Sequence, residues 1–209
     1  IVSFGSNVEV TGGVCAVRRH ADARLRGIKR VQIEPHLSPT AACSAEWVPI
    51  KPKTDAAFLY ALIHVLLHEV KRNRLDLPFL KQQTSSPYLV GAHGYFLRDP
   101  ETRKPLIYDL SRGTALSYDF ASADPALEGT FPVRAVEIGP DNAVLAEGVL
   151  EGEPSFAKFA AHMRAYAPEW AAAICDVPAA TMRRIALEFL EAAQVGATIE
   201  IEGKTFPLR

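Results

Sequence analysis

Short apolar runs, each closed by glycine or proline, alternate with longer helical patterns through the first quarter of the chain. Ile1 to Phe4 is an apolar strand ending at the loop Gly5-Ser6-Asn7. Val14, Val17, Ala21 and Leu25 then recur at spacings of three and four, which predicts the buried face of a helix. Arg18, Arg19, Asp22, Arg24 and Arg26 fill the remainder, and Gly27 supplies a stop. Val31 and Ile33 mark a second strand closed by Glu34-Pro35. After an alanine-rich piece from Thr40 to Ala45, Glu46 to Ile50 makes a third strand, stopped by Pro52. This βαβ-like order favours parallel strands with right-handed crossovers. A long helix is expected from Thr54 to about Arg72, with Thr54 as N-cap and Asp55 where the helix dipole favours an acid. Its body is apolar almost all round, so it needs cover on most sides. Tyr60, His64, His68 and Arg72 form one polar stripe, read as a solvated or interface face.

From about Ser85 to Leu150 the pattern breaks up. Tyr88-Leu89-Val90, Tyr95-Phe96-Leu97 and Leu106-Ile107-Tyr108 are strand-like, and the turn signal Asp99-Pro100-Glu101-Thr102 between two of them predicts a β-hairpin. The rest reads as an irregular excursion without a second core. The last sixty or so residues are helical again. Phe156, Phe159, Ala160 and Met163 share a stripe, Pro168 opens a helix carrying Trp170 and Ile174, and Pro178 opens another with Met182, Ile185 and Phe189 inward. Thr198 to Ile201 and Gly203 to Phe206 read as a hairpin. The expected class is α/β: a Rossmann-like parallel sheet flanked by helices (1–84), a hairpin and irregular insertion (85–150), and a helical segment with a terminal hairpin in the same domain as the sheet (151–209).

Composition narrows the function classes. Apolar residues make up 48% and charged residues 22% of the 209, the balance of a globular chain with a genuine core. Lysine plus arginine number 23 against 24 acids, a net charge of −1, which argues against a nucleic-acid footprint. The longest apolar run, Ala56 to Ile63, falls far short of the ~20 residues that span a bilayer. The sequence opens without an initiator methionine or a signal-peptide pattern and ends without a polar tail, the expectation being a piece of a longer protein. Cys15, Cys43 and Cys175 are dispersed and form no CxxC, so neither a disulfide framework nor a zinc or iron–sulfur site is indicated. Cys15 and Cys175, set among apolar residues, are expected in the core.

No phosphate-binding loop, nucleophile elbow, zincin, dinucleotide fingerprint or haem-attachment motif is present. His64 and His68 have chelating i, i+4 spacing on a helix, but no third ligand is evident and no metal site is assigned. Asp99 and Glu101 are a carboxylate pair in a turn, read as a solvated tip. The remaining feature is distributed. Gly5-Ser6-Asn7, Glu34-Pro35-His36 and Lys53-Thr54-Asp55 each follow a strand, and in a parallel sheet all three reach one edge, where doubly wound folds bind ligands. There a glycine admits a phosphate to the backbone, an acid ending the second strand accepts from ribose hydroxyls, and helix N-termini offer free N–H groups. A carboxylate such as Asp55 accepts two parallel hydrogen bonds from a guanine edge, which adenine cannot supply. Ordinary turn chemistry accounts for the same clusters, and spacing alone leaves both readings open. No catalytic residue is assigned.

The motifs in order resemble the dinucleotide-binding region of the molybdopterin oxidoreductases, the dimethyl sulfoxide reductase family. That family carries G-x-N after the first strand, D-P-R after the second, a T-A pair, an apolar strand and P-G-T-D opening a helix. These stand here as Gly5-Ser6-Asn7, Glu34-Pro35-His36, Thr40-Ala41, Glu46 to Ile50 and Pro52-Lys53-Thr54-Asp55. The likeness continues through Phe79-Leu80-Lys81, Tyr88-Leu89-Val90, Phe96 to Asp99, Lys104-Pro105-Leu106, Tyr166 to Ala172, Val177-Pro178-Ala179 and Arg184-Ile185-Ala186, and its longer matches are most similar to the thiosulfate, polysulfide and tetrathionate reductase branch. The resemblance implies that Gly5, Ser6 and Asn7 approach the pyrophosphate of a molybdopterin guanine dinucleotide, Glu34 holds the ribose, and Asp55, with Thr54 nearby, holds the guanine.

Three positions depart from the pattern. Glu34 is one methylene longer than the usual aspartate, His36 replaces an always-charged arginine, and Lys53 replaces a glycine, which is unfavourable if φ is positive there, although its ammonium could meet a phosphate. The family's iron–sulfur and molybdenum-ligating segments are not in this sequence, so the chain is expected to be inactive alone. The resemblance further implies a parent performing two-electron chemistry on a sulfur oxyanion or polysulfide. Its partners would be an iron–sulfur electron-transfer subunit, together with the remaining domains of the catalytic polypeptide, in the periplasm or, alternatively, the cytoplasm. The competing reading is a Rossmann-like interaction module that binds no nucleotide. A free-standing hydrolase using His64 or His93 is disfavoured because no nucleophile is placed near either.

Overall fold

The computed structural model describes residues 1–208, which form two compact units, residues 1–74 with 163–208 and residues 75–162. The class is α/β, as the alternation of apolar runs implies. In the first unit, strands β1 (Val2–Phe4), β2 (Val31–Ile33) and β3 (Glu46–Val48) form a parallel sheet in that order, with Phe4, Ile33 and Val48 aligned across it. Helices α1 (Val8–Thr11) and α2 (Gly13–Leu25) connect β1 to β2, and α3 (Pro39–Ala42), capped by the Ser38 hydroxyl, connects β2 to β3.

Helix α2 does not present the face that its periodicity predicts. Val14 and Leu25 are each 85% exposed and no residue of the helix is buried. The half-buried side carries Ala16, Val17, His20 and Ala23 instead. An ion cluster draws that side inward. Arg30, itself buried, pairs with Glu9 at 2.7 Å, sits against His20, and donates to Ser44 Oγ and the Thr40 carbonyl. Cys15 consequently lies exposed on α2 rather than in the core.

Helix α4 (Asp55–His64) continues as a π-helical turn over Val65–Glu69. The backbone becomes extended at Val70 (φ −103°, ψ 143°), so the helix stops short of Arg72. His64 is buried, its Nδ1 donating to the Met163 carbonyl at 3.0 Å. The polar stripe is therefore not a solvated face at this position; a backbone acceptor lets the ring go inside.

The second unit begins with α5 (Leu77–Gln83), capped by Asp76 accepting from Phe79 N. Strands β4 (Leu89–Val90), β5 (Leu97–Arg98), β6 (Leu106–Asp109), β7 (Thr114–Ser117), β8 (Phe131–Ile138) and β9 (Val144–Pro154) follow. The order β4-β9-β8-β5 makes an antiparallel sheet, and β6 pairs with β7. The turn at Asp99 is present, its carboxylate accepting from Glu101 N and Thr102 N. The strands flanking it join through the bridge Arg98–Pro105 and the Asp99 N–H donating to the Lys104 carbonyl, while β5 takes β8 as its ladder partner. The expected irregular excursion is thus a sheet with its own apolar cluster of Leu89, Leu97, Leu106, Val133 and Ala135. Long β9 has a weak strand signature because most of its residues face solvent or are half-buried, so the apolar alternation is diluted by Glu147, Glu151 and Glu153.

Helix α6 (Ser155–Met163) buries Phe156, Ala160 and Met163 and leaves Phe159 44% exposed. Helices α7 (Pro168–Cys175) and α8 (Ala179–Ala193) follow, then the exposed hairpin β10 (Thr198–Ile201) and β11 (Lys204–Pro207). The core of the first unit joins Val31, Ile33 and Val48 to Phe58 and Ala61 of α4, Ala171 and Cys175 of α7, and Met182 and Ile185 of α8. On α7 the small residues Ala171 and Cys175 are fully buried, whereas Trp170 is 38% exposed. On α8 the inward stripe is Met182, Ile185, Ala186 and Leu190, and Phe189, one position off it, is 55% exposed.

Candidate functional site

Level parallel strands put their next residues on one edge. The Gly5 N–H donates to the Ile33 carbonyl at 3.0 Å and the Glu34 N–H to the Val48 carbonyl at 3.2 Å, so β1, β2 and β3 end together, about 5 Å apart from neighbour to neighbour. The start of α4 comes to the same edge. Phe58, one turn after Asp55, meets Phe4, the residue before Gly5, edge to face at 5.7 Å. Gly5, Glu34 and Asp55 therefore share the carboxyl edge of the sheet.

The turn after β1 is built for close approach. Gly5 has φ +57°, a conformation costly for a residue with a Cβ, and the space beside its Cα is open. The Ser6 carbonyl accepts from Gln32 Nε2 at 3.1 Å, and Asn7 Oδ1 accepts from the Thr40 hydroxyl at 3.1 Å. No bond to Asn7 Nδ2 is found among the described residues, so its N–H donors are available.

Glu34 is 2% exposed. Its Oε1 accepts from Ser38 N at 3.1 Å and its Oε2 from Gln32 Nε2 at 3.0 Å. Burial opposes the charge, but these hydrogen bonds outweigh it and hold the carboxyl below its ordinary value. Trp47 Nε1 donates to the Glu34 carbonyl, fixing the backbone as well. Pro35 and His36 project into solvent beside this acid.

After β3, Ile50 enters the core and Lys51 N donates to the Cys175 carbonyl, anchoring the next loop. Lys53 has φ +66°, the left-handed conformation that the glycine of the motif would take freely. Thr54 occupies the N-cap position, but its hydroxyl donates to the Lys51 carbonyl at 2.6 Å and caps no helix N–H. The Asp55 carboxylate is half-buried and accepts no hydrogen bond among the described residues. Free helix N–H groups thus stand beside an uncommitted acid.

Gln32 belongs to none of the motifs, yet it ties the turn after β1 to the acid after β2. Its signal in the sequence is an amide in the middle of an otherwise apolar strand. Elsewhere the chemistry is sparse. The His64 and His68 rings lie 4.9 Å apart, and no cluster of three or more metal-ligating side chains occurs among the described residues. No helix among them is long and apolar enough to cross a membrane.

No protein-family model matches the chain. Individual relatives do. It is 30% identical over 184 residues to a sulfite dehydrogenase subunit of Allochromatium vinosum, covering 80% of this chain and 17% of that protein. It is 25% identical over 214 residues to the alpha chain of the perchlorate reductase of Dechloromonas aromatica, covering 82% of this chain and 21% of that one. Identity reaches 40% over 85 residues with dimethyl sulfoxide reductase DmsA of Haemophilus influenzae, 38% of this chain and 10% of the relative. The chain therefore spans about a fifth or less of the length of these relatives. With the ordered motifs from Gly5 to Asp55 and this similarity across most of its length, the chain belongs to the molybdopterin oxidoreductase (dimethyl sulfoxide reductase) family, as a part of a catalytic subunit.

Proposed function

We propose that the carboxyl edge of the parallel sheet binds the guanosine and pyrophosphate portion of a molybdopterin guanine dinucleotide. The observation that carries this reading is the convergence of an open glycine turn, an uncommitted aspartate and uncapped helix N–H groups on one edge. Gly5 gives the pyrophosphate access to backbone, and Asn7 Nδ2 offers a donor to its oxygens. Asp55 accepts from the N1 and N2 hydrogens of guanine, a pair that adenine lacks. Lys53 adds an exposed positive charge in the same loop. Glu34 first fixes the turn; its two bonds leave acceptor sites on both oxygens, but at 2% exposure a ribose hydroxyl reaches them only if the loop around Glu34 moves. When bound, the molybdenum cofactor would supply two-electron redox chemistry for the parent enzyme. We further propose that the parent acts on a sulfur oxyanion or polysulfide, outside the cytoplasm, with an iron–sulfur partner subunit.

Calorimetric titration of the cofactor-free parent subunit with GDP tests the binding edge. Asp55→Ala is expected to weaken GDP at least about tenfold and to erase the preference over ADP. Equal affinities for GDP and ADP in the unaltered protein would refute guanine recognition.

A further inference from the structure

Helix α2 has an apolar stripe that the described residues leave exposed. Val10 of α1 is 62% exposed and Val14 and Leu25 are 85% exposed. Ala21, between the latter two on the same face, is also exposed. Val10, Gly13, Val14, Val17 and Ala21 line a shallow groove of about 440 Å³ together with Glu9 and Arg18, and Leu25 continues the apolar face beyond it. Two arginines border the stripe. Arg18 follows Val14 by one turn on one side, and Arg24 lies along the other, two turns after Val17. Arg18 has only a 3.9 Å pairing with Asp22, and Arg24 has no ion pair among the described residues. The surface is apolar along its middle, with Arg18, loosely paired to Asp22, on one margin and Arg24 on the other.

We infer that this face is the seat of an apolar helix with acidic flanks, belonging to another segment of the same catalytic subunit. The charge pattern selects the chemistry: carboxylates opposite Arg18 and Arg24 complete the margins, and like charges would be repelled. A continuous rather than transient cover suits this helix, whose inner side is only half-buried. Thirteen residues are marginal as an isolated helix, and α2 buries none of them. A segment in the same polypeptide supplies permanent cover at high effective concentration. Room for one exists, since the chain spans 17–21% of the two relatives that match most of it. The stripe is built from valine, alanine and leucine without an aromatic anchor, which suits a packed helix better than a lipid surface. The inference stands on family membership alone and not on cofactor binding.

The test uses the full-length subunit carrying Ala21→Cys in a Cys15→Ser background, alkylated with N-ethylmaleimide and read by peptide mass spectrometry. In the native subunit freed of partner proteins, residue 21 should react at least about tenfold more slowly than in the same protein unfolded in guanidinium. Adding Arg18→Glu and Arg24→Glu should restore much of the rate, whereas Arg18→Lys and Arg24→Lys should not. Rapid alkylation in the isolated subunit overturns the inference. Protection appearing only with partner subunits, or only with vesicles of phosphatidylcholine and phosphatidylglycerol, would transfer the face to those occupants. Protection indifferent to charge reversal would overturn the acidic flank. GDP titration of the same samples reports the binding edge separately.

Discussion

Both units organise a loop around a buried glutamate, and the two do it differently. In the parallel sheet, Glu34 takes one backbone donor from Ser38 and one amide donor from Gln32. In the antiparallel sheet, Glu137, 1% exposed, takes the backbone N–H groups of His93 and Tyr95 and the ring Nδ1 of His93. The first acid is held by neutral groups that do not titrate with it, and it sits where a ligand is proposed. The second is held by a histidine and closes the Gly91–Tyr95 loop on itself. Burial of a carboxylate does not separate the two loops; the edge by Glu34 differs in the uncommitted chemistry around it, at Gly5, Asn7 and Asp55.

The largest expected effect is loss of the better-satisfied acid. Glu137→Ala strands two backbone donors and should destabilise the second unit by about 3 kcal/mol or more, against about 2 kcal/mol for Glu34→Ala in the first. Urea unfolding with hydrogen-exchange readout at residues 91–95 and 34–38 separates the two. Equal costs would show that the number of donors does not govern the anchor. Gly91→Ala should approach the Glu137 effect, because a Cβ there would stand 2.5 Å from the anchored carboxyl group and 2.7 Å from Leu97 Cδ2.

Acid sharpens the contrast at a smaller scale. Burial works against the charge of both acids, yet hydrogen bonding leaves both carboxyls below their ordinary value. A depressed folded value means that each contributes stability above the unfolded pKa of about 4.3 and loses it as pH falls through the folded value. For Glu137 the leading favourable partner is the His93 ring. His93→Ala should therefore cost about 1–2 kcal/mol at neutral pH and raise the pH at which the second unit begins to unfold. The first unit's acid transition should stay where it was. A shift in both units would sink the assignment of these acids to separate loops.

The legibility of this molecule in its sequence follows the range of the forces involved. Val31, Ile33 and Val48, and the stripe of Met182 and Ile185, are readable because local periodicity and burial agree there. The common edge of Gly5, Glu34 and Asp55 is readable because three βαβ-connected strands have little choice but to run parallel. Helix α2 is readable as a helix but not in its orientation: periodicity identifies an apolar face, while the distant pairing of Arg30 with Glu9 and His20 decides which side turns inward. The second sheet is obscured by strands that bury few residues, and Gln32 by a role that exists only once Ser6 and Glu34 are brought beside it.

Lys53 offers the finest division between architecture and binding. Its φ of +66° costs an L-residue about 1 kcal/mol that glycine would not incur, partly offset by glycine's greater freedom when unfolded. Lys53→Gly should therefore raise stability by roughly 0.5 kcal/mol in urea unfolding. If the ammonium meets the pyrophosphate, the same change should weaken GDP about two- to fivefold and reduce the salt dependence of binding. Lys53→Ala keeps a side chain in the left-handed conformation while removing the charge, so it should weaken GDP without the gain in stability. Were the alanine variant to bind GDP unchanged at low salt, the lysine would be a tolerated replacement for the motif's glycine and no part of the edge's chemistry.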